Sequence, residues 1–180
     1  MNNALIFGGF YYDNGSYSFL NDLYSFDFKL KKIQQINTIN APIKRGQHNS
    51  FMTKNDELIV IGGWNIDYLM NDIQMLNLNS KMWKTIKTIN PPRAIKLNKT
   101  KGIYPAQFST YTYGTDIIVY GICNDNTLYI LDMKTSKWTN YGNKLNLKYS
   151  TISKVSKYGK TCIIGINNSA KFEFHELNKN

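Results

Sequence analysis

The chain offers little to catalysis or metal binding: His48, His175, Cys123, Cys162 and scattered acids and hydroxyls. His175 sits in FEFHEL beside Glu173 and Glu176, residue types that could hold a cation or exchange a proton. Strand alternation does not bring the three together. Structural zinc takes four Cys or His ligands at close, regular spacings, and no such set exists here. Serine, threonine and tyrosine abound, yet no Gly-x-Ser-x-Gly elbow and no Ser-His-Asp set can be drawn. We expect no catalytic residue, no metal and no cofactor.

Charge is the next chemistry to weigh. The chain carries a formal net charge of +10 over 180 residues, which invites a nucleic-acid or anionic-surface reading. Only Arg45 and Arg93 are arginines, however, and arginine is the residue suited to bidentate phosphate recognition. Lysine, asparagine and isoleucine make up over a third of the chain, a general compositional bias rather than a patch. The densest run, Lys29 to Lys32, falls in an expected turn and reads as a solvated face. No nucleic-acid or membrane partner is expected. No apolar run approaches eighteen residues, and the N-terminus lacks the basic region of a signal peptide. Cys162 lies inside an apolar run and Cys123 directly follows one, so both read as reduced thiols and the address as cytoplasmic.

The elements that position these residues show in a repeat. LIFGGF, LIVIGGWN, IIVYGI and CIIGIN share one shape, with glycines Gly8, Gly62, Gly121 and Gly165 spaced 54, 59 and 44 residues apart. That range suits a four-stranded propeller blade. After each glycine site comes a polar loop and then NDLYSFDF, NDIQMLNL, NTLYILDM or AKFEFHEL. Six residues beyond Asp27, Asn77 and Asp132 stand Ile33, Trp83 and Trp138. Before three of the glycine runs, a mixed strand joins through Asn-Asp, Gly-Thr or Tyr-Gly, which are hairpin signals. Each unit therefore reads strand A, strand B ending in glycine, strand C, and strand D near tryptophan. Strand B is continuously apolar, so both its faces must be covered. Gly8, Gly9, Gly62 and Gly63 are expected to let the chain leave strand B in a conformation few other residues adopt.

These residues resemble kelch repeats. The apolar run with Gly-Gly, the NDL before strand C and the spaced tryptophan carry the likeness. In the second unit Arg45, His48, Gly62, Gly63, Asp72 and Trp83 occur together. The departures are Ile33 in a tryptophan place, Gly121-Ile122 and Gly165-Ile166 in place of Gly-Gly, and no Arg or His in strand A of the last two units. The resemblance implies an all-β, partial kelch propeller of three to four blades of four antiparallel strands. It forms one kelch-repeat region over 1–180, with units at 1–40, 41–90, 104–145 and 146–180. His48 then has a structural hydrogen-bonding role. The units count three, four, four and three strands, so open edges should favour self-association, and a fragment of a longer propeller is the first reading of that count.

Binding is the function the resemblance implies: a non-enzymatic scaffold or adaptor for a protein partner. The alternative, a carbohydrate-acting or metal-dependent propeller enzyme, would need acids converging in a central pocket. In the family, B–C and D–A loops make the partner surface. Here these are 10–20, 64–70, 123–126 and 89–105. Tyr11, Tyr12, Tyr17, Trp64 and Tyr68 fall in the first two, and Arg93, Lys96 and Tyr104 in the last. Aromatics are favoured anchors at interfaces, and the cations suit an acidic peptide segment.

Overall fold

In a computed structural model the chain is described over residues 3–93, 95–96, 107–113, 116–122, 127–140, 147–155, 160–167 and 172–177. Among these residues it is all β, with sixteen strands and no helix. It divides into two compact units, Met1–Ile86 with Ile95–Lys101, and Lys87–Ala94 with Gly102–Asn180.

The first unit opens with a long hairpin of β1 (Asn3–Asp13) and β2 (Ser16–Asp27), and β3 (Lys32–Gln35) lies on the other side of β2. Asn14 and Gly15 make its turn with φ of 48° and 80°. Both central residues of such a turn are left-handed, which is why Asn-Gly serves there. Residues 10–20, expected as a loop, are thus strand arms and a turn, with Phe10 opposite Phe19 and Tyr12 opposite Tyr17. Aromatic cross-strand pairs of this kind stabilise a ladder and extend it past the glycines. β1 also does not end at Gly8. The register slips between Phe7 and Gly9, where Gly8 with φ 57° stands against two residues of β2, Asn21 and Asp22, so the extra residue of the bulge lies on β2.

The second sheet comprises β4 (Asn49–Met52), β5 (Glu57–Ile61), β7 (Ile73–Asn77) and β8 (Met82–Thr85), in the order β4-β5-β7-β8. Between β5 and β7 runs β6 (Tyr68–Leu69), which pairs with β9 (Ile95–Lys96). Lys96, expected in a loop, is therefore a strand residue opposite Tyr68. β5 stops before Gly62 and Gly63, whose φ values are 62° and 89°. From Leu58 to Ile61 every residue of β5 is buried, as its unbroken apolar run requires. Phe7 and Leu23 of the first sheet meet Leu58, Val60, Leu76 and Trp83 of the second in one apolar cluster. The Phe7 and Trp83 rings lie 4.9 Å apart. Full burial of each such side chain stabilises by about 1.5–3 kcal/mol.

The second unit holds β10 (Gln107–Tyr113), β11 (Asp116–Ile122), β12 (Leu128–Asp132) and β13 (Lys137–Asn140) as one antiparallel sheet. A second sheet contains β14 (Leu147–Val155), β15 (Lys160–Asn167) and β16 (Phe172–Leu177). Gly121 and Gly165 lie within strands, opposite Phe108 and Tyr129, and opposite Ser150 and Glu173. So strand B ends at glycine only in β5. His175 stands opposite Ile163 in β16, and Cys162 opposite Ser153 in β15.

Two local devices recur. Asp27, Asn77 and Asp132 each accept two backbone N–H bonds through Oδ1, from residues two and three ahead. A left-handed residue follows each time, at Lys31, Lys81 and Ser136. The recurring acid or amide is thus an Asx turn that reverses the chain into the last strand. The second device is a linker bridge. Ile39 N–H donates to the Lys81 carbonyl (2.8 Å), and Trp83 N–H donates to the Ile39 carbonyl (3.0 Å). In the second unit Ile89, Ser136 and Trp138 repeat it at 2.8 and 2.9 Å.

Glycine is demanded most at Gly63, where an added Cβ would lie 2.8 Å from the Gly46 carbonyl oxygen at a left-handed φ. Gly15 is left-handed too, with open space around it. Gly15→Ala should cost about 1 kcal/mol from the conformation alone. Gly63→Ala should cost clearly more in urea unfolding, and equal costs would remove the close-packing argument.

Candidate functional site

Arg45 enters between the two sheets of the first unit and touches both. Its N–H donates to the Leu20 carbonyl (3.0 Å) and its carbonyl accepts from Gly9 N–H (2.9 Å), which ties it to the first sheet. The side chain ties it to the second. Nη1 donates to Asp72 Oδ1 (2.6 Å) and to the Gly62 carbonyl (3.0 Å), Nη2 to Asp72 Oδ2 (2.8 Å), and Nε to the Ile43 carbonyl (3.0 Å). The planar guanidinium matches the carboxylate in a two-bond fork, which lysine could not reproduce. Arg45 is wholly buried, so its charge persists there only because of these partners. Asp72 also accepts from Gln74 Nε2 at 2.6 Å, and its carbonyl accepts from Gly62 N–H at 3.0 Å.

His48 packs beside this clamp. Its ring meets Phe7 edge-on at 5.3 Å, and its backbone and Cβ crowd Gly63. The Nδ1 atom is buried with no hydrogen-bond partner among the described residues. Ring packing, not a hydrogen bond at that nitrogen, is what the structure gives this residue. Burial and the nearby Arg45 charge push its pKa down to about 4.

The aromatic side chains gather elsewhere, around the extended hairpin. Trp64, which follows Gly63, packs edge-on against Phe19 (4.9 Å) and Tyr17 (5.8 Å), and lies 5.9 Å from Phe10. Tyr12 stacks beside Tyr17 at 4.9 Å. Trp64 is half-buried and its Nε1 donates to Gln47 Oε1 at 3.0 Å, while its backbone exchanges two bonds with Gly46. The hairpin tip stays open: Tyr11 is 53% exposed, Tyr12 63% and Tyr17 46%. Tyr68 is exposed in β6 beside β9, which carries Lys96. Six of the expected contact residues, Tyr11, Tyr12, Tyr17, Trp64, Tyr68 and Lys96, thus lie in the first unit. Arg93 is exposed in the segment Lys87–Ala94 of the second unit, and Tyr104 lies outside the described residues. Phe10 joins the cluster without having been singled out in the sequence, although it alternates with Tyr12 on the same strand face.

A cleft of about 580 Å3 opens at the other end of β1, lined by Asn3, Ser25, Gln34, Asn37, Met52 and Lys81 among others. Among the described residues no carboxylate lines it, and no three His, Cys, Asp or Glu side chains gather as a metal site.

Antiparallel sheets of three or four strands, the glycine exit of β5 and the buried Arg-Asp clamp accord with a kelch-type repeat protein. Residues 1–98 match the KLHDC2/KLHL20/DRC7 Kelch-repeats domain. The chain belongs to the kelch-repeat family and has the all-β fold of a partial kelch propeller, and such a domain speaks for a protein-interaction module. Over 123 residues, 65% of its length, it is 25% identical to the dynein alpha chain of the flagellar outer arm of Chlamydomonas reinhardtii. The match spans 2% of that protein. Among the described residues no helix is long and apolar enough to cross a membrane.

Asp72→Asn should destabilise the first unit by about 3 kcal/mol, because it leaves a buried guanidinium without its counter-charge. A loss below about 1 kcal/mol in urea unfolding would mean that water reaches the pair. For His48 the unfolded ring titrates near 6.5 and the folded ring near 4. Between those values the unfolded state holds the extra proton, so stability should fall as pH drops from about 6.5 toward 4. His48→Gln should flatten that part of the profile, and an unchanged slope would assign it to other groups.

Proposed function

We propose that this chain is a non-enzymatic scaffold or adaptor, acting in the cytoplasm, whose partner surface is the aromatic hairpin tip. Tyr12 and Tyr17 form the contact with Trp64 beneath them, Tyr68 with Lys96 extends it, and Tyr11 offers a further ring on the hairpin's other face. The observation that carries this reading is the cluster of aromatic rings held on rigid paired strands yet left open to solvent. Two-stranded backbone hydrogen bonding preorganises those rings, so little conformational entropy is lost on contact. Tyrosine and tryptophan supply large, partly polar contact area of the kind found at binding hot spots.

The preferred partner is an acidic peptide segment. The chain's net charge of +10 favours encounter with an anionic partner. Arg93 is proposed as a separate cationic contact in its own unit.

A displayed peptide library panned against the whole protein tests this. Selected peptides should be rich in acids, and Tyr12→Ala should weaken them by about tenfold or more, near 1.4 kcal/mol, while the urea midpoint stays unchanged. Arg93→Ala should weaken instead those selected peptides that Tyr12→Ala leaves bound, and reduce their salt dependence. Binding that survives both substitutions would put the surface elsewhere.

A further inference from the structure

Among the described residues three asparagines have a left-handed backbone: Asn14, Asn40 and Asn90, with φ of 48°, 57° and 53°. The main-chain nitrogen that follows an asparagine can attack its side-chain amide and close a five-membered ring. The next residue therefore decides the chemistry. Asn90 precedes Pro91, whose nitrogen has no hydrogen to give up. Asn40 precedes Ala41, whose Cβ stands beside the attacking atom. Asn14 precedes Gly15, which has no Cβ, and this is the one Asn-Gly pair in the sequence.

The surroundings leave that pair free to react. It lies at the exposed tip of the hairpin, beyond the last paired residues, Asp13 and Ser16. A Cβ built on Gly15 would meet nothing within 4 Å. The Asn14 side chain makes one hydrogen bond among the described residues, donated by Nδ2 to Asp13 Oδ2 at 3.2 Å. No turn bond among the described residues engages the Gly15 N–H.

We propose that Asn14 is a self-modifying site, whose isoaspartyl product opens the hairpin tip. The Gly15 nitrogen attacks Asn14 Cγ, an N–Cγ bond forms and the Cγ–Nδ2 bond breaks. Nδ2 leaves as ammonia, taking the Gly15 proton. Water then adds to one of the two ring carbonyls. Addition at Cγ gives aspartate. Addition at the main-chain carbonyl breaks its bond to the Gly15 nitrogen and gives isoaspartate, with the chain running through the side chain. Water is the only other reactant.

The two products treat the tip differently. Aspartate keeps the turn, since Asp-Gly suits a left-handed pair as Asn-Gly does. Isoaspartate lengthens the main chain by one carbon, so the turn no longer joins Asp13 to Ser16 in register. The Tyr12–Tyr17 pair, next along the ladder with rings 4.9 Å apart, loses its alignment. Both products place a new carboxylate beside Asp13, which opposes an acidic peptide. That last effect rests on the proposed partner surface, whereas the modification does not.

The test ages the whole protein in mildly alkaline buffer beside a synthetic peptide of residues 9–20. Proteolysis and mass spectrometry follow the replacement of NH2 by OH, and an isoaspartate-specific methyltransferase labels the isoaspartyl form. Asn14 should change before Asn40 and Asn90. The folded protein should convert within about tenfold of the peptide's rate, because a hairpin tip opens at little cost. Asn14→Gly, which keeps a left-handed turn and has no amide, should give no product. Amide exchange along Tyr11 to Ser18 should speed up in the isoaspartyl protein and not in Asn14→Asp. An intact Asn14 while the peptide is converted, or earlier change at Asn40 or Asn90, would overturn the proposal. Unchanged exchange in the isoaspartyl protein would overturn it too. Faster exchange with acidic peptides still bound would uphold the modification and move the partner surface elsewhere.

Discussion

The guanidinium of Arg45 is the interaction on which the first unit depends. It is buried to 0% exposure, and a charge in that position is tolerable only with its carboxylate and carbonyl partners in place. Those partners lie on Asp72 and Gly62, directly before β7 and after β5 of the second sheet, while the Arg45 backbone is bonded to Gly9 and Leu20 in the first. One residue therefore sets where two sheets stand relative to each other. The glycines follow from it. Gly8 faces the Arg45 carbonyl at a distance where an added Cβ would come within 2.9 Å, and Gly63 faces Gly46 in the same way. A side chain at either place would push the clamp apart.

Around that clamp, short-range chemistry shapes the rest. Asp27, Asn77 and Asp132 turn the chain into each last strand with two bonds from one side-chain oxygen. Ile39 and Ile89 then fasten each linker to the strand beyond. The bridge is made by main-chain atoms alone, so it does not depend on which side chains the linker carries. Trp83 uses its ring for the apolar cluster and its N–H for Thr38, which combines packing and hydrogen bonding in a single residue.

The aromatic tip arises where the repeat plan is exceeded. In β5 the strand stops at Ile61, whereas β1 continues past the bulge for four residues beyond Gly9. The extra ladder carries Phe10, Tyr12, Tyr17 and Phe19, and Trp64 closes on it from the second sheet. Extension and exposure thus have one cause: paired strands that outrun the core beneath them.

The repeat, the all-β class and the buried course of β5 were legible in the sequence, and so was the company of Arg45, Asp72, Gly62, Gly63 and Trp83 in one unit, but not the bonds that Arg45 makes. They rest on local rules, namely continuous apolar runs and glycine exits, which neighbouring residues alone enforce. The recurrence of Thr-Ile-Asn at 38–40 and 88–90 was also there to be read, and it marks the linker bridge that the spacing of glycines did not reveal. The tertiary structure decided what depends on distant partners. It turned residues 10–20 from a loop into a hairpin, because Phe10 and Tyr12 gain their neighbours only once β1 and β2 pair. It gave Trp64 a half-buried place, and it left Ile33 open while Trp83 is covered. Identical positions in a repeat differ in exposure because burial belongs to the neighbouring sheet, and no local pattern encodes whether that neighbour is present.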